Sequence, residues 1–197
     1  VSAEPSRAEP DPSAEPTQPE PEPEPEPASG SASHPAPHQS AAPYPWPSPR
    51  LSFLARFRVD LEAMLDLGAT PWGERRIIPI VGGSFEGPRL RGDILPGGGD
   101  WQIVHPDGVA EIDTRYTLRT DDEALIHLTT TGLRYGPPEV VARLRRGEDV
   151  DPRSYYFRLV CRFETGDVRY AGLNRTIAVA AAMRSANTVR YEAHALV

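Results

Sequence analysis

The sequence has no lysine, a single cysteine in 197 residues, and no long apolar run. A lone Cys161 excludes an intrachain disulfide, so the folded part must hold together by burial, as fits a reducing compartment. Without lysine, all 21 cationic side chains are arginine. Arginine offers a planar, permanently charged fork that grips carboxylates and phosphates through paired hydrogen bonds, although a GC-rich genome produces the same bias. No segment approaches the ~20 apolar residues of a membrane-spanning helix, and the first residues lack the basic and apolar regions of a secretory signal. The expectation is a soluble, cytoplasmic protein with no membrane partner, with processing ahead of Val1 left open.

Metal and nucleotide signatures are missing too. His105, His127 and His194 have no second ligand at metal spacing, and His34 and His38 fall among prolines, so neither a metal nor another cofactor is expected. The run Gly97-Gly98-Gly99 lacks the Lys-Ser/Thr of a phosphate-binding loop and leads into a strand pattern, so it reads as a hairpin bend whose glycines supply positive φ. Cys161 alternates with Phe157, Leu159 and Phe163 and reads as a small core residue, not a nucleophile.

What is present divides sharply. Residues 1–49 hold 15 of the 23 prolines, with eight acidic side chains and Arg7 as the one basic group. The segment "PEPEPEPEP", Pro19 to Pro27, combines fixed φ with repelling glutamates, which predicts extended polyproline II within a disordered tail; Tyr44 and Trp46 sit among its last prolines. Residues 50–197 carry twenty acidic and twenty basic groups, so the net charge of −7 belongs to the tail. A balanced folded domain gives no reason to expect a nucleic-acid partner.

From Leu51 onward the apolar period is near two. "AEIDTRYTLRT" sets Ile112, Thr114, Tyr116 and Leu118 against Glu111, Asp113, Arg115, Thr117 and Arg119. "YYFRLVCRFET" repeats the pattern from Tyr155 to Phe163, and seven more strands are predicted over 53–60, 76–81, 84–95, 101–105, 124–131, 173–182 and 188–196. Turn signals separate them, among them Gly82-Gly83 and Pro96 to Gly99. One helix is predicted in "GPPEVVARLRRGED", with Pro138 in its first turn, Arg145 and Arg146 at its negative end and Gly147 as its stop. The fold class is therefore all-β, a closed antiparallel β-barrel of about 8–10 strands with one short helix, and a two-sheet sandwich as the alternative.

The blocks Gly82 to Asp122, "GLRYGPPEVVARL", "YYFRLVCRFETG" and "LNRTIAV" together resemble the domain-of-unknown-function family 3237, also called uncharacterised protein family 0311. The resemblance runs from about Phe53 to Val197 and implies a closed antiparallel barrel, with no established chemistry. Two departures stand out: Gly172 occupies a place where the family resemblance implies an aromatic ring, and "AVAAAMRS" replaces a Val-Gly turn. A missing ring would enlarge or reshape any pocket it lined.

Candidate site residues follow from polar groups in these blocks. Asp100 and Trp101 begin a strand at the rim, Tyr116 lies on an apolar face, and Asn174 either binds or satisfies backbone at an irregular strand. Arg115, Arg134 and Arg158 are suited to hold an anion, and Asp113, Arg115 and Glu164 are the catalytic candidates. The plain alternative for each charge is a solvated outer face, and adjacent strand residues point to opposite faces, so at most one of Arg115 and Tyr116 can line a given cavity. The functional expectation is a small apolar or aromatic, anionic metabolite held in the barrel cavity. It is either the substrate of a cofactor-independent enzyme of proton transfer or cyclisation, or the cargo of a non-catalytic carrier; a barrel filled by side chains would instead serve as a scaffold. Deleting residues 1–49 is expected to leave the melting transition of the remaining chain unchanged, and a large fall in melting temperature would contradict the tail assignment.

Overall fold

The structure, a computed structural model, describes residues 46–197. The expectation of a disordered tail, with its polyproline stretch and Tyr44, therefore lies almost entirely outside the described residues, while Trp46 is exposed. Ten strands form one antiparallel sheet that closes on itself: β1 (Leu51–Leu61), β2 (Leu65–Thr70), β3 (Gly73–Glu86), β4 (Arg91–Ile94), β5 (Gly98–Val104), β6 (Ala110–Thr120), β7 (Leu125–Tyr135), β8 (Tyr156–Glu164), β9 (Ile177–Arg184) and β10 (Thr188–Leu196). The helix α1 (Pro138–Arg145) separates β7 from β8. Closure is through β1, which pairs with β10 on one edge and with β3 on the other. The barrel expectation thus holds, and the sandwich alternative falls away.

Ten strands make eight staves. β1 and β2 pair in succession with β3 along one side of it, and β4 and β5 pair in succession with β3 along the other and with β6 beyond. Each of these two pairs is thus one interrupted stave. Between β4 and β5 the chain does not reverse: both run antiparallel to β3, and Pro96-Gly97 only kinks the stave. The glycine run is a bend, as expected, but within one stave instead of between hairpin strands. Gly97 takes a φ of +101°, and a Cβ on Gly98 would lie 2.5 Å from that of Tyr116, so glycine is required first for conformation and then for close approach.

Three other boundaries differ from expectation. Gly82-Gly83 is no turn but the middle of β3, where strand β1 crosses so closely that a methyl on Gly83 would lie 2.0 Å from the Arg58 carbonyl oxygen. The predicted strand over 84–95 is broken by a turn after Glu86. Residues Val168–Arg175 form 3-10 turns, so β9 starts later than the hydrophobic pattern suggested.

Alternation decides the inside. In β6, Ala110, Ile112, Thr114, Tyr116, Leu118 and Thr120 are buried while Glu111, Arg115 and Arg119 are exposed. In β8, Phe157, Leu159, Cys161 and Phe163 are buried between exposed Tyr156, Arg158, Val160, Arg162 and Glu164. The middle of the barrel is filled by side chains, with Phe57 stacked between Phe85 at 5.7 Å and Tyr191 at 4.6 Å. Burial pushes the Cys161 thiol up to about 12, consistent with an inert core residue. The helix is where the sequence put it, with Pro138 at its start, Glu139 in its first turn, Arg143 and Arg145 in its last, and Gly147 at a φ of +76° beyond it. Leu144 is its buried anchor. Among the described residues no helix is long and apolar enough to cross a membrane.

The close crossing of β1 and β3 is testable. Gly83→Ala is expected to cost about 2 kcal/mol or more in urea unfolding, whereas Gly166→Ala, whose methyl meets nothing within 4 Å, should stay within about 0.5 kcal/mol. Equal effects at the two positions would contradict the close approach.

Candidate functional site

The β3 start, the β5, β7 and β9 ends and α1 all lie at one end of the barrel, where inward-facing positions turn from apolar to charged. β3 has buried Ile78 and Ile80 and, at the next inward position towards this end, buried Arg76. β5 turns Asp100 and Gln102 inward, both buried. β7 carries Ile126, Leu128 and Thr130 inward and ends on buried Arg134. On β9, Ala178, Ala180 and Ala182 precede half-buried Arg184. Asp100, Thr114 and Thr130 are cross-strand neighbours on β5, β6 and β7, so they form one polar layer across three staves.

The layer is tied by hydrogen bonds. Arg134 Nη2 donates to Gln102 Oε1 at 3.3 Å, and Gln102 Nε2 donates to Asp100 Oδ2 at 3.1 Å. The backbone N–H of Asp113 donates to Asp100 Oδ1 at 3.2 Å. Thr114 and Thr130 share a hydroxyl hydrogen bond, as do Tyr116 and Tyr191 deeper in. Burial raises the Asp100 carboxyl to about 6, against the pull of the Asp113 amide and of Arg134, Arg184 and Gln102. Burial, with Arg184 nearby, lowers Arg134 to about 10, and burial lowers Arg184 as well.

Two spaces meet at Arg134 and Arg184. An inner cavity of about 30 Å³, room for a single water, is lined by Asp100, Thr114, Tyr116, Thr130 and Tyr191 together with those two arginines. A mouth of about 190 Å³ opens on their other side, walled by Met64, Val141 and Leu144 with Arg76, Gln102 and Arg145. Arg76 pairs with Glu74 at 2.5 Å, yet its Nε is buried without a partner. Arg134 and Arg184 have no carboxylate within ion-pair distance among the described residues.

The sequence-predicted residues divide by face. Asp100, Tyr116 and Arg134 come together around the inner cavity. Arg115 lies on the outer face, bonded to Asp113 Oδ2 at 3.1 Å and 5.6 Å from the centre of the Trp101 ring, so those three share an exterior cluster, not a lumen. Arg158 is exposed over Tyr156, and Glu164 is exposed at the end of β8. Asn174 is exposed and clasps the Thr165 backbone, its Oδ1 accepting at 2.8 Å and its Nδ2 donating at 2.9 Å, which is the backbone-satisfying role. Gly172 lines an open groove of about 380 Å³ at the opposite end, with Phe53, Tyr170 and Leu173. Gln102, Arg76 and Arg184 were not singled out by the sequence. Their signal is a polar residue standing at the inward parity of an otherwise apolar alternation.

Comparison with known proteins agrees with this architecture. The family described as "Protein of unknown function (DUF3237)" matches residues 49–196. A crystal structure of a β-barrel-like protein from Acinetobacter baumannii is 51% identical, with a TM-score of 0.69 over 78% of this chain and 99% of that one. A UPF0311 protein from Rhodopseudomonas palustris is 43% identical over 122 residues, which is 62% of this chain and 80% of that protein. The crystal structure of an enzyme from Penicillium herquei is 19% identical with a TM-score of 0.58, covering 77% of this chain and 97% of its own, a likeness of fold alone. Sequence blocks and closed barrel agree, and the chain belongs to the DUF3237 family, whose members include the UPF0311 proteins.

Proposed function

We propose that this protein binds a small organic anion with an apolar or aromatic body at the arginine-lined end of its barrel. The observation that supports the reading is the burial of Arg134 beside Arg184 with no carboxylate paired to either among the described residues. A guanidinium removed from water without a directly paired carboxylate costs several kcal/mol, which the more distant Asp100 offsets only in part, and neighbouring like charge adds to that cost. A carboxylate or enolate seated between the two forks offsets both terms through charge-assisted hydrogen bonds. Met64, Val141 and Leu144 supply the wall for an apolar body. The mouth, at about 190 Å³, is below the ~300–1,000 Å³ of drug-sized sites, so the ligand is a small metabolite.

A second reading, a binding module or scaffold without chemistry, is favoured by the packing of the barrel's middle, where only about 30 Å³ stays empty. It shares the mouth with the first and differs in what happens to the ligand there.

Two outcomes are expected in calorimetric titration with phenylacetate and benzoate. Arg134→Met and Arg184→Met should each weaken binding by about 10–100-fold, the worth of a charged hydrogen-bonded contact, while Arg115→Ala and Arg158→Ala on the outer face should leave it unchanged. In the ligand-free protein Arg134→Met should leave the melting temperature unchanged or raise it, because a buried charge with no directly paired carboxylate is replaced by an apolar chain. A fall in melting temperature with binding intact would make Arg134 a structural residue and remove the basis of the reading.

A further inference from the structure

We propose that Asp100 is the acid-base residue of this site, moving a proton between carbon and oxygen of an enolisable 2-oxo acid whose oxygens rest on Arg134 and Arg184. The inference rests on the anion-binding reading above and names the chemistry done there. Among the described residues Asp100 is the one carboxylate lining the inner cavity, and it faces that cavity with both arginines. Its two oxygens accept from neutral donors, Gln102 Nε2 and the Asp113 amide, and no arginine forms an ion pair with it among the described residues. A carboxylate locked to a guanidinium is a poor base; one held in place by amides keeps a lone pair free and can take up a proton. Burial also brings this carboxyl to about 6, near the range a general base needs at neutral pH.

The other carboxylates cannot serve the cavity. Asp113 and Glu164 are on the outer face, and Glu74 is bound to Arg76. Arg184 has no side-chain hydrogen bond or ion pair among the described residues, so its rotation into the mouth lets the oxo-acid head enter the inner cavity and reach Asp100. In the step, the C–H bond next to the carbonyl breaks, its electron pair becomes the new C=C bond, and the carbonyl electrons move to oxygen. The proton goes to Asp100, and Arg134 and Arg184 hold the enolate oxygen. Asp100 then returns the proton to oxygen, giving the enol, or to carbon, restoring the keto form. No oxidant or cofactor enters the balance.

The groups facing Asp100 are Gln102 from β5, Tyr116 and the Asp113 amide from β6, Arg134 from β7, Arg184 from β9 and Tyr191 from β10, while Arg76 from β3 and Tyr155 ahead of β8 stand beside the two arginines. The two tyrosine hydroxyls at Tyr116 and Tyr191 are pushed well up by burial and stay protonated, and Arg134, lowered to about 10, stays charged, so Asp100, at about 6, is the group among these whose charge changes near neutral pH. Because folding raises its pKa, the stability it contributes is full below the unfolded value and is lost as pH rises through about 6.

The test uses the full-length protein and phenylpyruvate, with calorimetry for binding and NMR in D2O for exchange of the C3 protons. The expected result is catalysed exchange with a rate that rises from pH 5 to 7 around an apparent pKa near 6. Asp100→Asn should bind phenylpyruvate within about threefold of the parent and lose at least about 100-fold of the exchange rate. Its melting temperature should exceed the parent's at pH 7.5, with the gap closing towards pH 4. Binding without exchange above buffer background, or exchange unaltered by Asp100→Asn, overturns the role of Asp100 and leaves the anion site standing. Absence of binding by the parent protein sinks the anion site and this inference with it. Should Asp100→Asn fail to fold, the parent pH profile decides, and an exchange rate flat from pH 4.5 to 7.5 overturns the proposal.

Discussion

A guanidinium placed inside a closed β-barrel has few ways to be solvated. Backbone groups are spent on the ladders between staves, and water enters only where the barrel opens. Arg134 meets this constraint with one long hydrogen bond to Gln102 and the face of the Phe157 ring, beside a second arginine and with the Asp100 carboxylate outside ion-pair distance. Charge of one sign is thereby concentrated where β7 and β9 end and α1 begins. The packing of the rest of the interior, from Phe57 to Phe163, leaves this end as the polar one. The anion reading follows from that imbalance more than from any cavity volume.

The barrel supplies position. β5 puts Asp100 and Gln102 on the same face because they are two residues apart, and its register against β3 and β6 sets Asp100 beside Ile78 and Thr114. The kink at Pro96-Gly97 sits at the start of that strand, and Gly98 packs without a side chain on Tyr116. Lengthening or reshaping this bend would move Asp100 relative to Arg134, which stands on a separate stave. The glycine run that looks like a ligand cradle thus acts as a mechanical element that seats the strand carrying the polar layer.

Much of the fold was legible. The alternation in "AEIDTRYTLRT" and "YYFRLVCRFET" gave the right inward residues, and the capping pattern around Pro138 and Gly147 placed the helix. Strand β2 escaped because its Leu65 and Leu67 are exposed and carry no burial signal. Gly82-Gly83 misled because glycine marks both turns and close strand crossings, and only the position of Arg58 on the neighbouring strand tells them apart. The site was half legible. Arg134, Asp100 and Tyr116 stood on inward parity, while Arg115, Arg158 and Glu164 stood on the outward one, as their apolar neighbours could have indicated. Arg76, Gln102 and Arg184 needed the closed barrel, since four strands distant in sequence converge at one end only after the sheet rolls up.

What sits between Arg134 and Arg184 decides what this end of the barrel does. A crystal structure of the protein with a bound aromatic carboxylate measures this most directly. The carboxylate oxygens should lie within hydrogen-bonding distance of both guanidinium groups, with the ring against Met64, Val141 and Leu144. A carboxylate found instead in the groove beside Gly172, or on the outer face near Arg115, with only water between the two arginines, would contradict it.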